Sequence, residues 1–445
     1  MNQPGPKTES SSSVQNPTAT ETAETGVKAA GGRFRWVICA LLFFGVTKNY
    51  MDRNILAVLK TTLQHDLGWN EIDYSNLIVA FQAAYAVGML LTGRFIDRIG
   101  TRIGYAIVMV VWSIASMGHA LCTTLFSFTV ARSLLGFSES GVFPASIKGV
   151  SEWFPKKERA FTTGIFNSGT SIGAILAPLF VPWIVIHLGW RWSFLITGAL
   201  GFVWLVPWLM LYRKPQEHKS CSRSELEYIQ KDSSQETGSV KWAKLIGQRQ
   251  TWVFAIGKFL TDPIWWFYLF WIPDFLQRQH GLQLTQIGLP ILVIYAISDA
   301  GSVAGGWISS ALIKRGTSVN VGRKTAMLLC AVCVVPIAFA YQVTGLWSAV
   351  VLVGIAAAGH QGFSANLFTL SSDMFPSRAV GSVVGVGGMA GAIGGMLIAK
   401  IVGYVLQWTG SYKLPFLMAA SAYLVALAII QILSPKLSPS TVGAE

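Results

Sequence analysis

Twelve apolar runs of about 20 residues or more, the length a helix needs to cross a bilayer, follow one another along the chain. They cover roughly 35–60, 75–95, 104–123, 125–150, 160–187 and 191–213, then 251–274, 285–312, 323–342, 345–371, 379–408 and 412–434. A helix apolar on every side has no stable place in water, whereas in lipid its backbone hydrogen bonds are all satisfied internally. An all-α polytopic membrane protein is therefore expected. Only 12% of the residues are charged, about half the share found in soluble domains. Several runs exceed the minimum span, which predicts tilting or kinking.

The formal charge of +13 is distributed in a way that excludes nucleic acid as its partner. Lys and Arg gather at Arg33 and Arg35, at Arg94, Arg98 and Arg102, at Lys156, Lys157 and Arg159, across 213–249, at Lys314, Arg315, Arg323 and Lys324, and at Arg378. These are the N-terminus and the even-numbered connections. The odd ones are poor in basic residues, and the first, HDLGWNEID, is acidic. By the positive-inside rule both termini are expected in the cytoplasm. Residues 1–33 are rich in Ser, Thr and Glu and carry too little apolar surface to fold, so a disordered tail is expected. No short apolar region precedes a cleavage site, so the first crossing helix doubles as the targeting signal and a multi-pass cell-membrane location is expected. The five cysteines are scattered, and Cys330 and Cys333 lie in the apolar ninth run without neighbouring ligands. No disulfide framework, metal site or cofactor is expected.

Residues 214–250 are the one long polar interruption and divide the runs six and six. The expected units are a bundle over 34–213, a cytoplasmic linker over 214–250, a second bundle over 251–435 and a tail over 436–445. SEWFP at 151–155 recurs as SDMFP at 372–376, and the same offset of 221 residues takes Arg102 to Arg323. A parallel repeat of six-helix units around a central cavity is one way transporters are built. GRFIDRIGTR, residues 93–102, lies at the end of the second run and suggests a gate. Gly93 would let two helices approach, Gly100 would make the turn, and Asp97, Arg98 and Arg102 would make contacts broken in another conformation. The lesser alternative is a polar loop that only enforces topology. The second half has Ser310 where the aspartate would fall.

GRFIDRIGTR, the six-plus-six plan and the repeated FP loop together resemble the major facilitator superfamily, over nearly the whole chain beyond residue 33. YMDRN at 50–54, ARSLLGFSESGVFPASIKGVSEWFPKKERA at 131–160 and FNSGTSIGA at 166–174 are similar to its anion:cation symporters, which include bacterial sugar-acid carriers. Within these, PASIKGVSEWFP, HQGFSANLFTLSSDMFP at 360–376 and KFLTDP at 258–263 most resemble the hexuronate transporters. The resemblance implies a twelve-helix fold and the transport of a small organic anion with protons. It implies protonation at Asp52 and Glu139, and substrate contact at Arg53, Arg132 and Tyr85. Thr170 stands where galactonate-type relatives have glutamine, so hydroxyl selectivity would differ.

The residues themselves lead in the same direction. A charge at the bilayer centre costs at least ~2.5–3.5 kcal/mol on insertion scales, so several together imply a polar interior. Asp52 and Arg53 are neighbours in the first run. Arg132 and Glu139 are seven apart in the fourth, and two helical turns place them on one face. Arginine stays charged and forks onto a carboxylate, so Arg53 and Arg132 suit an anion clamp. A carboxylate beside each would compete with that anion until protonated, which links proton and substrate binding. Tyr50, Tyr85, Asn167, Thr170 and Ser171 are candidates to read hydroxyls, as are Gln361, Ser364 and Asn366 in the tenth run. The 221-residue offset takes Glu139 to His360, a candidate secondary proton site or a hydrogen-bonded core histidine. Lys258 and Asp262, at i,i+4 spacing, form either a site element or a packing ion pair. Asp299 and Lys400 carry no assigned role. Trp265 or Trp266 could stack on a sugar ring.

A proton-coupled carrier of a sugar-acid monoanion, acting as a monomer by alternating access, follows as the expected function. Another organic anion such as galactonate, glucarate or a dicarboxylate, or sodium coupling, stays open beside it. A membrane sensor would need a partner-binding domain, for which the 37-residue linker is too short. An enzyme would need an activated nucleophile or clustered ligands, and neither is present in the pattern.

Overall fold

The computed structural model describes residues 33–230, 242–375, 377–438 and 440. The expected tail over 1–33 lies outside them except for Arg33. The twelve membrane-spanning elements are α1 (Phe34–Val58), α2 (Glu71–Ile99), α3 (Thr101–Gly118), α4, α5 (Lys156–Leu188), α6 (Trp190–Leu211), α7 (Arg249–His280), α8 (Gly288–Lys314), α9 (Val319–Val334), α10 (Leu346–Met374), α11 (Ser377–Thr409) and α12 (Lys413–Leu433). Element α4 is broken into Leu125–Glu139 and Val142–Trp153, and α9 continues as a 3-10 turn over Val335–Gln342. Among the described residues, nine helices are long and apolar enough to cross a membrane by length and composition. The other three elements are α1, α4 and α7, which carry Asp52 and Arg53, Arg132 and Glu139, and Lys258 and Asp262. The charges that weaken the apolar signal are thus concentrated where the site is built.

The duplication inferred from the repeated motifs is present in the packing. Element α1 packs most extensively on α5 and α7 on α11; α2 packs on α4 as α8 does on α10, and α3 on α6 as α9 does on α12. Glycine makes the first of these crossings possible. A methyl group on Gly173 of α5 would collide with the Thr47 carbonyl of α1, and one on Gly394 of α11 with the Phe259 carbonyl of α7. These two glycines are themselves 221 residues apart. Gly173→Val should therefore destabilise the detergent-solubilised protein by about 3 kcal/mol, read as a lowered thermal midpoint.

Across the halves, α2 packs on α11 and α5 on α8. They are tied most firmly at the end opposite the termini, here called the distal end. There the buried Lys60 ammonium lies 2.7 Å from Glu71 Oε2 and 2.8 Å from Asp274 Oδ2. Arg278 pairs with Asp274 at 2.8 Å and also with Glu71. The Tyr412 hydroxyl donates to Asp274, and the Glu71 backbone N–H donates to Gln407 Oε1 at 3.0 Å. Lys400 contacts Asn76 of α2, which gives that lysine a cross-half partner.

At the other end the linker is partly folded. Arg223–Gln230 is a helix, and its Glu225 accepts hydrogen bonds from the backbone N–H groups of Phe34 and Arg35 at 3.4 and 3.1 Å. These are free donors of the first turn of α1, capped from 190 residues away. Arg35 adds ion pairs to Glu225 and Glu158 at 3.2 and 3.0 Å.

Candidate functional site

Arg53, Arg132 and Glu139 converge between α1, α2 and α4. All three are fully buried. Arg53 donates from Nε to Glu139 Oε2 at 3.0 Å, and its Nη2 lies 2.9 Å from the same oxygen. Asn49, one turn earlier, accepts from Arg53 at 3.3 Å. The guanidinium carbon of Arg53 stands 4.7 Å from the ring centre of Tyr50, 4.9 Å from Tyr85, 5.2 Å from Phe81 and 5.4 Å from Trp266. Aromatic faces attract a cation but accept no proper hydrogen bond, so this box holds the arginine and leaves Nη1 without a partner.

Arg132 sits 4.8 Å over Phe81, and none of its three guanidinium nitrogens has a hydrogen-bond partner among the described residues. A buried unpaired cation is among the most costly arrangements a protein can hold. Glu139 Oε1 and both amide atoms of Gln82 are also buried and have no hydrogen-bond partner among the described residues. A layer of orphaned polar groups therefore surrounds the paired Arg53 and Glu139. Groups left so would be satisfied by a polar, anionic guest.

The pairing differs from the expected one in two respects. Glu139 neutralises Arg53 from the neighbouring helix, not Arg132 on its own. Asp52 pairs with no arginine: Lys48 Nζ lies 2.6 Å away on the same helix and Trp112 Nε1 donates to Asp52 at 2.7 Å. Adjacent residues on a helix point about 100° apart, and here that angle separates two environments. Arg53 faces the α2, α4 and α7 side, and Asp52 faces α3 within its own bundle.

In the second half Lys258 pairs with Asp262 at 2.7 Å and lies 4.2 Å over Phe368. His360 exchanges a 2.7 Å hydrogen bond with the Tyr423 hydroxyl and stacks on Trp265 at 5.0 Å, so its ring is occupied by α12 and α7. Ser171 donates to Asp299 at 2.7 Å, bridging α5 and α8. Asn366 donates to the carbonyls of Gly305 and Gly362 at 3.0 and 2.9 Å. That amide ties α8 to α10 instead of projecting both donors toward a guest. Ser364 is buried, Thr170 and Gln361 are half-buried, and Asn167 is exposed. Trp265, Tyr268 and Tyr295 line a small cavity of about 20 Å³ between the halves, with Asn54 and Pro178 facing them.

The gate motif is arranged otherwise than expected. A Cβ on Gly93 would meet nothing within 4 Å, so it makes no close crossing. The side chain of Asp97 lies outside the described residues. Arg98 is exposed, and Arg102 donates to the Leu209 carbonyl of α6 within its own bundle. Gly100 does turn the chain between α2 and α3, at φ 90°. In the repeat position Arg323 pairs with Asp373 at 3.1 Å and donates to Ser309 at 2.9 Å.

Sequence reasoning passed over Lys48, Asn49, Gln82 and Trp112, and the whole distal cluster. The KNYMD spacing, i,i+4 like Lys258 and Asp262, was a usable signal for Lys48. For Gln82 there was none, since a glutamine in an apolar run is informative only once its neighbours are known.

Residues 42–399 match the model of the Major Facilitator Superfamily. The chain is 34% identical over 409 residues to the hexuronate transporter of Escherichia coli K12, covering 90% of this chain and 94% of that one. It is 35% identical over 303 residues to the galacturonate transporter of Dickeya chrysanthemi, covering 66% and 87%. It is 30% identical over 423 residues to a D-galactonate transporter of Escherichia coli O6:H1, covering 91% and 96%. Among solved structures, a bacterial homologue of the human lysosomal transporter Spinster, inward-facing and occupied, superposes with a TM-score of 0.72 at 17% identity, covering 92% of this chain and 99% of that one. The inward-open xylose transporter XylE of Escherichia coli gives 0.70 at 13% identity, covering 90% and 96%.

Proposed function

The chain belongs to the major facilitator superfamily, a multi-pass membrane transporter and not an enzyme, and on that premise we propose that it carries a hexuronate into the cell together with a proton. The observation that carries this reading is Arg132, buried beside an ion pair with its guanidinium wholly unpartnered. The cations Arg53, Lys48 and Lys258 each have a carboxylate at 2.6–3.0 Å. Among the described residues Arg132 is the buried cation left without a carboxylate at such a distance, and one leftover cation suits one carboxylate, as in a uronic acid. Sugar-acid specificity among the relatives supports the same class of cargo.

Glu139 supplies the coupling. While ionised it holds Arg53; once protonated it releases Arg53 toward the carboxylate that Arg132 already grips. The proton thus raises the affinity for the anion, and the anion raises the affinity for the proton. Tyr50, Tyr85, Gln82 and Trp266 frame the sugar. If both termini lie in the cytoplasm, the tightly tied distal end is the outward one, and its closing and opening is one half of an alternating-access cycle.

The test is uptake into proteoliposomes under an imposed pH gradient. Labelled glucuronate or galacturonate should accumulate when the outside is acid, and Glu139→Gln should abolish accumulation while exchange between equal substrate pools persists. Uptake of the wild type that ignores the gradient would sink proton coupling. A panel including galactonate and galactarate would show whether the single leftover cation selects monoacids.

A further inference from the structure

The same turn of α1 that presents Arg53 to the site holds a second ionisable pair on its reverse side. Lys48 is 7% and Asp52 1% exposed. Lys48 Nζ lies 2.6 Å from Asp52 Oδ2, 3.3 Å from Ser113 Oγ and 4.0 Å from the centre of the Trp112 ring. The Trp112 indole donates to the same Oδ2, and Oδ1 is buried with no hydrogen-bond partner among the described residues. Around this pair, α3 contributes only the neutral Trp112 and Ser113. From α6 comes Gly201, where a Cβ would stand 2.9 Å from Nζ. The other charges within electrostatic reach are Glu139 and Arg132 of α4 and Arg53 of α1 itself.

Two features set this pair apart from a packing ion pair. A buried pair is a poor stabiliser compared with apolar residues of equal volume, and this one occupies a cramped site that an apolar side chain would fill. Its carboxylate also keeps one oxygen free inside protein, where a structural pair would be expected to have both satisfied.

We propose that Lys48 is a positioning residue for proton coupling: it holds Asp52 as a carboxylate on the side of α1 turned away from the cargo, with Oδ1 left to take up the proton. The proton passes from water to Asp52 and later to the cytoplasm. Glu139 reads the cargo through Arg53, whereas Asp52 is loaded and emptied under the control of Lys48. Arg53 and Asp52 being adjacent, a rotation of α1 on releasing Arg53 also moves the Lys48–Asp52 pair relative to Ser113 and Trp112 of α3. This inference rests on the proton coupling proposed above.

The experiment is the pH profile of the initial rate of labelled glucuronate uptake in proteoliposomes, for the wild type, Lys48→Met, Lys48→Arg and Trp112→Phe. Lys48→Met removes the ammonium 2.6 Å from Asp52, so it should displace the alkaline limb upward and lower uphill accumulation about tenfold or more. Lys48→Arg should return the limb to the wild-type position. Trp112→Phe, which removes the indole donor and keeps the ring, should move the limb the same way by less, and serves where Lys48→Met fails to reach the membrane. A Lys48→Met profile reduced in height but unmoved along the pH axis would overturn the role of Lys48 alone. A flat wild-type profile would overturn proton coupling itself, and the role of Lys48 with it.

Discussion

Arg132→Met should abolish sugar-acid uptake, by a hundredfold or more, without lowering the stability of the protein. Truncating one side of a buried, hydrogen-bonded charge pair costs about 2–5 kcal/mol, and each 1.4 kcal/mol is about a tenfold change in affinity. The substrate-free protein responds oppositely. Its Arg132 guanidinium is buried with no partner, so methionine removes an uncompensated charge while filling the space above Phe81. The thermal midpoint of the empty variant should equal or exceed that of the wild type. Saturating glucuronate should protect only the wild type, by about 2.7 kcal/mol at a hundred times its dissociation constant. A variant that loses stability and keeps its response to substrate would show that Arg132 is there for packing.

The second large effect is expected at the distal end. Lys60→Met leaves Glu71 and Asp274 facing each other across the halves with Arg278 as their remaining cation. Removing one partner of a buried pair costs about 3–5 kcal/mol, and the cost vanishes when the halves part and the carboxylates are hydrated. That is enough to shift a two-state equilibrium by roughly a hundredfold or more. Ser75 of α2 is a suitable reporter, since it is fully buried and packs directly on Gly403 of α11. In a background with the five native cysteines replaced by serine, Ser75→Cys should be labelled slowly by an impermeant maleimide from the distal side. Adding Lys60→Met should speed that labelling at least tenfold and slow net uptake, because the cycle then stalls with the distal end open. Labelling at the parent rate would mean that apolar contacts between α2 and α11 hold this end shut unaided.

The contrast between Lys60 and Arg53 shows what could be read from the chain and what could not. Arg53 and Glu139 interrupt long apolar runs, where a charge is conspicuous and its cost demands a partner. Periodicity then placed each on a helix and the 221-residue offset placed the helices in equivalent bundles. Lys60, Glu71, Asp274 and Arg278 lie at the ends of runs, where polar residues are ordinary, so the first connection looked like a mere acidic loop. The burial of Lys60, Glu71 and Asp274, with the exposed Arg278 at their rim, arises from contact between the two halves of the chain. The same limit explains the mispairing of Asp52: its partner Lys48 is one turn away, yet the choice between Lys48 and an arginine depends on Trp112 of α3. Asn366 and Gly93 fail for a related reason. Residue type suggested a ligand contact and a crossing, and only the neighbouring helices show that the amide serves packing and the glycine faces open space.

The cap on α1 has a practical corollary. Any division of the chain into two co-expressed pieces, or any reporter inserted between them, must respect the fact that Glu225 belongs mechanically to the first six helices. A cut just after Tyr212 would take the carboxylate away from the Phe34 and Arg35 amides and release the helix that bears both Lys48 and Arg53. A cut placed beyond Gln230 leaves that anchorage whole, so the first bundle is longer than its membrane portion and carries its own clasp at the end opposite the distal cluster.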